Sequence, residues 1–450
     1  MRHLYLYPVI IWFGAGLFAL PAQAQTGNRL TVAESVKMGL EHSYRLRAAG
    51  AEVEGAEAAY RQSRSGRLPA IRGQASYMRL SDNIPEVDYE LPGMDTTYTL
   101  LPVELDRFYT ELSVEQLLFA GGRLNKRIEA ADHQAEAAGL MEKQERVEVA
   151  FQVREAYWNL YRAQGAHEVL KSAQERVYTH LRNVRNRVEE GAALQTELLN
   201  AKTRRSEVRL DQVESRSRVK VARLELNRLL GLPGDAQTVP AAPDEPGASP
   251  FGRREMKERA PAQRPDLQAL SERVEAREAE IDAVQGEWFP QVSLVGRYVY
   301  ARPNQYFFAE QDQFRGTWEA GVRLQWNIWS GGQRSAEASR ARAQLRKAEA
   351  QLADRRSQAR VEISRQYLEL ERAAEAIEVA ASSVDAAREA FQSARREYEE
   401  GVALSEQVLD AEHAYRKAQA RQAEAVADYE IARAAVLSAR GQIWGSDGGN

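Results

Sequence analysis

The sequence has no cysteine. No disulfide framework and no thiolate metal site can be built without it, and a lipid-modified N-terminal cysteine is excluded as well. Histidine is scarce. His3, His42, His133, His167, His180 and His413 are the whole set, and no two stand at metal-ligand spacing. There is no Gly-x-Ser-x-Gly and no phosphate-binding glycine-rich loop. The acidic residues mix with Arg and Lys, as on the solvated faces of coiled coils. No catalysis, cofactor or metal centre is therefore expected. The charge is nearly balanced, with 61 basic against 65 acidic residues and a net charge of −4. Without a basic tract, nothing points to nucleic acid. Beyond Ala24 no window holds ~18 consecutive apolar residues, so no transmembrane helix is expected. Short alternating barrel strands would escape such a scan.

The one long apolar run is at the start. Arg2 and His3 precede the run from Leu4 to Leu20, and "PAQA" ends at Ala24. Residues 1–24 read as a signal peptide, with the mature chain starting near Gln25 beyond the inner membrane. A secreted, periplasmic or outer-membrane protein follows.

The rest of the chain is written twice. "VEQLLFAGGRLN" from Val114 reappears as "LQWNIWSGGQRS" from Leu324, at an offset of 210 residues. Tyr157 then matches Tyr367, "EEGAAL" from Glu189 matches "EEGVAL" from Glu399, and Gly231 matches Gly441. Upstream, "RLPAIRGQASY" matches "WFPQVSLVGRY" at an offset of 221, so the first copy carries about eleven extra residues. These fall between Ser81 and Asp106 and suggest a longer extracellular loop. Seven of the fifteen prolines lie from Leu232 to Pro265. Proline keeps a connector extended, leaving room for a short helix around 253–259. The expected organisation is a first repeat over 25–231, a linker over 232–263, a second repeat over 264–441 and a flexible tail over 442–450.

Each repeat reads as helix, strand, strand, long helix, return helix. In the first, Val149, Ala156, Val177 and Val184 recur at multiples of seven beside Val153, Leu160 and Leu181. In the second, Ile363, Leu370, Ile377, Val384, Phe391 and Tyr398 run beside Ala359, Ala373 and Ala380. Sustained heptads mean long helices packed side by side. They are expected over 122–190 and 332–400, with return helices over 193–230 and 403–440. Strands are expected at about 71–80, 108–119, 291–300 and 316–329. In "QVSLVGRYVY", Val292, Leu294, Tyr298 and Tyr300 share a face; in "TWEAGVRLQWNIW", Trp318, Val322, Leu324 and Trp326 do. Such strands suit a membrane barrel with a wet lumen, and Tyr298, Tyr300, Trp318, Trp326 and Trp329 suit its interfacial girdles. Pro69 and Pro290 end a helix and start a strand. Gly121, Gly122, Gly331 and Gly332 turn a strand back into a helix. Four strands cannot close a barrel, and an open edge cannot face lipid. The missing strands must come from sister chains: eight in a dimer, twelve in a trimer, the latter wide enough for water.

In this order and spacing, with "RPDLQAL" from Arg264 and "YEEGVALSEQVLDAEHAY" from Tyr398, the chain resembles the TolC-like outer-membrane efflux family. The resemblance covers essentially the whole mature chain. It implies a mostly α fold with a membrane β-barrel, in which a homotrimer forms a 12-stranded barrel and an α-helical periplasmic tunnel. It implies outer-membrane lipid, a periplasmic adaptor and an inner-membrane pump or type I exporter as partners. It also implies a periplasmic gate ringed by acidic side chains. Asp410 falls on the acidic position, while Gln407 stands where a second acid can occur. Glu406 and Glu197 are nearby candidates, and Asn200 is the neutral first-copy equivalent of Asp410. The turns "GAALQT" (Gly191 to Thr196) and "GVALSE" (Gly401 to Glu406) are the implied adaptor-docking tips, with Leu194 and Leu404 as their apolar contacts. The alternative is a periplasmic adaptor or a coiled-coil scaffold without a pore.

Overall fold

A computed structural model describes residues 29–84, 87–90, 97–101, 104–242, 263–307 and 312–443. The signal peptide, the short helix at 253–259 and nearly all of the expected tail lie outside the described residues. In chain order the elements are β1 (Arg29–Leu30), α1 (Val32–His42), α2 (Tyr44–Ser65), β2 (Ala70–Arg79), β3 (Val87–Glu90), β4 (Thr97–Leu101), β5 (Asp106–Phe119), α3 (Arg123–Glu189) and α4 (Gln195–Leu230). Then follow β6 (Val239–Pro240), α5 (Pro265–Gln285), β7 (Gln291–Arg302), β8 (Arg315–Gln325), α6 (Gln333–Glu399) and α7 (Ser405–Ala439). No described helix is long and apolar enough to cross a membrane.

The two long helices, α3 and α6, have 67 residues each, or about 100 Å at 1.5 Å per residue. Proline-free sequence permits that length, and the heptad rows stabilise it. Val153, Leu160, Val184, Leu226 and Leu230 are wholly buried. Each such side chain contributes roughly 1.5–3 kcal/mol by leaving water. Near the sheet, α3 lies between α2 and α5; farther away it lies between α4 and α7. The other long helix, α6, packs on α5 and then on α7. The wall therefore runs α2–α3–α5–α6 near the sheet and α4–α3–α7–α6 below. The four-stranded antiparallel sheet has the matching order β2–β5–β7–β8.

Several features depart from the sequence reading. A helix, α1, precedes α2. Thr31 opens it with a capping box to Glu34, and Val36 packs on Val153 and Leu230. Beside it, β1 and β6 form a short parallel pair. Tyr157 holds this pair to α3, its hydroxyl donating to the carbonyls of Leu30 at 2.9 Å and Ala241 at 3.2 Å. Burial pushes the Tyr157 hydroxyl up to about 12. Asn227, fully buried, donates to the Ala236 carbonyl and accepts from the Thr238 hydroxyl. The extra first-copy residues contain a hairpin of β3 and β4. The strand expected over 316–329 ends at Gln325. Its partner β7 starts at Gln291, and Pro290 before it has no N–H to extend the ladder.

Candidate functional site

The sheet has two unlike faces, and register shows how. Ile71, Val114, Gly296 and Ala320 stand in one row across all four strands, and Gly73, Leu112, Tyr298 and Trp318 in the next. On this apolar face Trp318 is 79% exposed and Val322 66%. Val292 to Tyr300 along β7 spans about 26 Å at 3.3 Å per residue, close to the height of an outward apolar band in a barrel. Aromatic residues sit at both ends: Tyr77, Phe108, Tyr300 and Phe314 at the far end, and Phe119, Trp288, Phe289, Trp326 and Trp329 next to the helices. The opposite face is charged. There the Arg297 guanidinium lies 2.6 Å from the Glu319 carboxylate and 3.8 Å from that of Glu111, and Arg72 pairs with Glu115 at 3.5 Å.

The junctions between sheet and helices have specific backbone requirements. Pro69 and Pro290 stand immediately before β2 and β7. Phe289 is extended, the conformation a following proline favours. Gly121, Gly122, Gly331 and Gly332 all have positive φ, between 60° and 89°. A Cβ on Gly121 would also lie 2.5 Å from the Gly286 carbonyl, whereas Gly122 faces open space. Gly122→Ala is expected to cost ~1–2 kcal/mol from the left-handed backbone alone. Gly121→Ala should cost distinctly more, and urea unfolding midpoints of the two variants would separate them. Equal midpoints would contradict the clash.

At the other end of the wall the two helical hairpins turn. Gly191 and Gly401 adopt positive φ, and the N–H groups of Ala192 and Val402 reach back to the carbonyls of Arg187 and Glu397. This closes each long helix with a left-handed residue and a long-reach backbone bond. Leu194 and Leu404, which precede α4 and α7, are 67% and 61% exposed. Leu198, Val408 and Tyr398 pack between the hairpins instead. Polar links cross the same interface. Arg187 donates to the Tyr398 carbonyl and lies over its ring, and Arg176 pairs with the buried Glu412 at 3.1 Å. His180 Nε2 lies 2.7 Å from the Ser405 hydroxyl.

Within one chain the gate candidates stand on two helices, Glu197 and Asn200 on α4 and Glu406, Gln407 and Asp410 on α7. Asp410 is exposed and pairs with Arg204 of α4 at 3.6 Å. Gln407 accepts from the Leu404 N–H at 3.1 Å, so it caps its own helix. Glu406 and Asn200 are exposed, and Glu197 is half-buried near Tyr398. Arg204, Arg176 and Glu412 escaped the sequence reading. The Arg204–Asp410 and Arg176–Glu412 contacts each join residues more than two hundred apart, which no local spacing signals; Arg204 also pairs with Glu207 on its own helix at 3.0 Å.

His180 gives the tip a pH response. Burial pushes its imidazole down to about 4 from 6.5. The neutral ring is favoured in the folded state. The stability it contributes is complete above about pH 6.5 and is lost as pH falls from there toward 4. At about 1.4 kcal/mol per pH unit of depression, the loss reaches roughly 2–3 kcal/mol. Amide protection factors at residues 176–190, corrected for the intrinsic exchange rate at each pH, should fall between pH 7.5 and pH 5, and His180→Gln should blunt the fall. An unchanged pH response in that variant would assign it to other groups.

The family model described as outer membrane efflux protein matches residues 36–232 and 257–442. No curated protein sequence matches the chain. Among solved structures, the outer membrane protein VceC from Vibrio cholerae aligns at a TM-score of 0.75 and 20% identity, covering 91% of this chain and 96% of that one. The CmeC outer membrane channel of Campylobacter jejuni aligns at 0.75 and 17%, covering 98% and 94%. The open state of the MtrE outer membrane channel of Neisseria gonorrhoeae aligns at 0.74 and 18%, covering 92% and 89%. At these identities the likeness is one of fold.

Proposed function

The chain belongs to the outer membrane efflux protein family, and on that premise we propose that three copies close head to tail into a passive exit duct. As a member of the family it serves as an outer-membrane efflux channel. The observation that carries the trimer is the pair of open edges. Sheet and wall end together, with β2, α2 and α4 on one side and β8 and α6 on the other. Unpaired strand edges cannot stand in lipid. The wall edges carry matching exposed apolar residues, Leu210, Val213 and Val221 on α4 and Val361, Leu368 and Val379 on α6. A head-to-tail contact that closes makes a ring. Three copies give twelve strands, wider than the eight whose interior side chains fill. The apolar face then meets outer-membrane lipid and the charged face a wet lumen, with the helices forming a periplasmic tunnel.

At the far end, exposed Leu194, Val402 and Leu404 would meet a periplasmic adaptor that couples the duct to an inner-membrane pump or exporter. Three copies of Asp410 would ring the opening and favour cations. The Arg204 pair reduces that field, so Arg204→Ala should raise cation selectivity in planar bilayers. The rival reading, an adaptor or scaffold without a pore, finds no support in the family model or the fold.

The natural chain has no cysteine, which makes cross-linking clean. Gln74→Cys on β2 and Arg323→Cys on β8 in one chain, treated with a bis-maleimide, should give a denaturing-gel ladder that stops at three subunits. A ladder that stops at two, or none at all, would overturn the trimer.

A further inference from the structure

We propose that His133, Glu136 and Glu272 form a site for a first-row divalent metal ion that staples α3 to α5. His133 and Glu136 are three residues apart on α3, so they stand on one helix face. Glu272 reaches across from α5, its carboxylate 2.8 Å from His133 Nδ1. One donor atom from each of the three lies within 4.8 Å of the others. Helical bundles bind metals with Glu-x-x-His pairs and carboxylates from facing helices; here the i, i+3 pair has the reverse order, His133 before Glu136, and Glu272 supplies the facing carboxylate. One imidazole nitrogen and two carboxylate oxygens suit Zn²⁺ and its transition-metal neighbours, with a fourth position left for water. Mg²⁺ and Ca²⁺, which take oxygen ligands, fit less well.

Access and electrostatics agree with this geometry. Glu136 is solvent-exposed and Glu272 half-buried, so a metal ion could reach the three donors from solvent. The Glu136 and Glu272 carboxylates concentrate negative charge beside the His133 ring, and a divalent cation bound there would neutralise it. Asp132 adds to the negative potential at Glu136, and Glu275 adds to it at His133. The ordinary reading is a His–Glu ion pair between neighbouring helices. A metal ion there would instead tie the first repeat to the second within a single chain. The site is therefore independent of the trimer and of transport.

The test uses the full chain in detergent, without a polyhistidine tag and stripped of metal. Isothermal titration with Zn²⁺ should show one ion per chain, and that ion should raise Tm by several degrees. Glu272→Gln and His133→Gln should each weaken binding at least tenfold and abolish the Tm shift. Glu136→Gln, at the most exposed of the three positions, serves where the others lower the metal-free Tm. Millimolar Mg²⁺ should not reproduce the shift. Absence of stoichiometric Zn²⁺ binding, or equal affinity in the variants, overturns the site and leaves the duct untouched.

Discussion

Val322→Arg is expected to remove the protein from the outer-membrane fraction and to abolish the proposed trimer. Val322 lies opposite Leu294 on the apolar face of the sheet and is 66% exposed in the single chain. In water, an arginine at such a position is nearly free of cost. At the middle of a bilayer it costs about 2–4 kcal/mol, and a trimer carries it three times, for roughly 6–12 kcal/mol in all. Gln74→Arg is the control. It adds the same charge on the opposite face, beside Glu111, where a wet lumen tolerates it. Density-gradient fractionation and gel mobility of unheated samples read both outcomes. If Val322→Arg assembled as well as Gln74→Arg, the apolar face would not be in lipid.

Much of this arrangement was legible because it repeats. A seven-residue rhythm running from Val149 to Val184, and again from Ile363 to Tyr398, leaves little besides long packed helices. Alternation through Val292 to Tyr300 separates the two faces of β7 in the sequence alone. Other parts leave no such signal. β1 and β6 have two residues each, too few for a period, and they pair across the whole first repeat. The end of β8 is set by Pro290 on its neighbour rather than by its own Trp326 to Trp329. The candidate gate was harder still. Asp410 in "VLDA" is visible in sequence, but Arg204 opposite it is not. Gln407, expected beside the gate, spends its side chain on a backbone N–H. His133 and Glu272 meet only because α3 and α5 pack side by side. Periodicity reports which face of an element is buried; it carries no register between elements.

Arg264→Met should produce the largest loss of stability of any single change in the helical wall. Arg264 is 2% exposed and sits where the start of α5, the middle of α6 and the end of α7 meet. Its guanidinium grips Asp266 through two 3.0 Å bonds, reaches Glu362 at 3.1 Å and caps the Ala439 carbonyl at 2.9 Å. Arg355 completes the cluster on the far side of Asp266 at 2.8 Å. Burial alone would raise the Asp266 carboxyl, but the hydrogen bonds and charges of Arg264 and Arg355 outweigh it and hold that carboxyl below its usual range. Removing one member of a buried cluster leaves the others desolvated and underpaired, a loss of about 3–5 kcal/mol. The Ala439 carbonyl also loses its cap. Arg264→Lys should recover little, because a single ammonium cannot match the two-pronged bond to Asp266. Replacing both partners, Arg264→Met with Asp266→Leu, should recover part of the loss, since an apolar pair leaves fewer orphaned charges. Urea midpoints of the four proteins decide the matter. A lysine variant as stable as the natural chain would mean that the charge alone matters and the forked geometry does not.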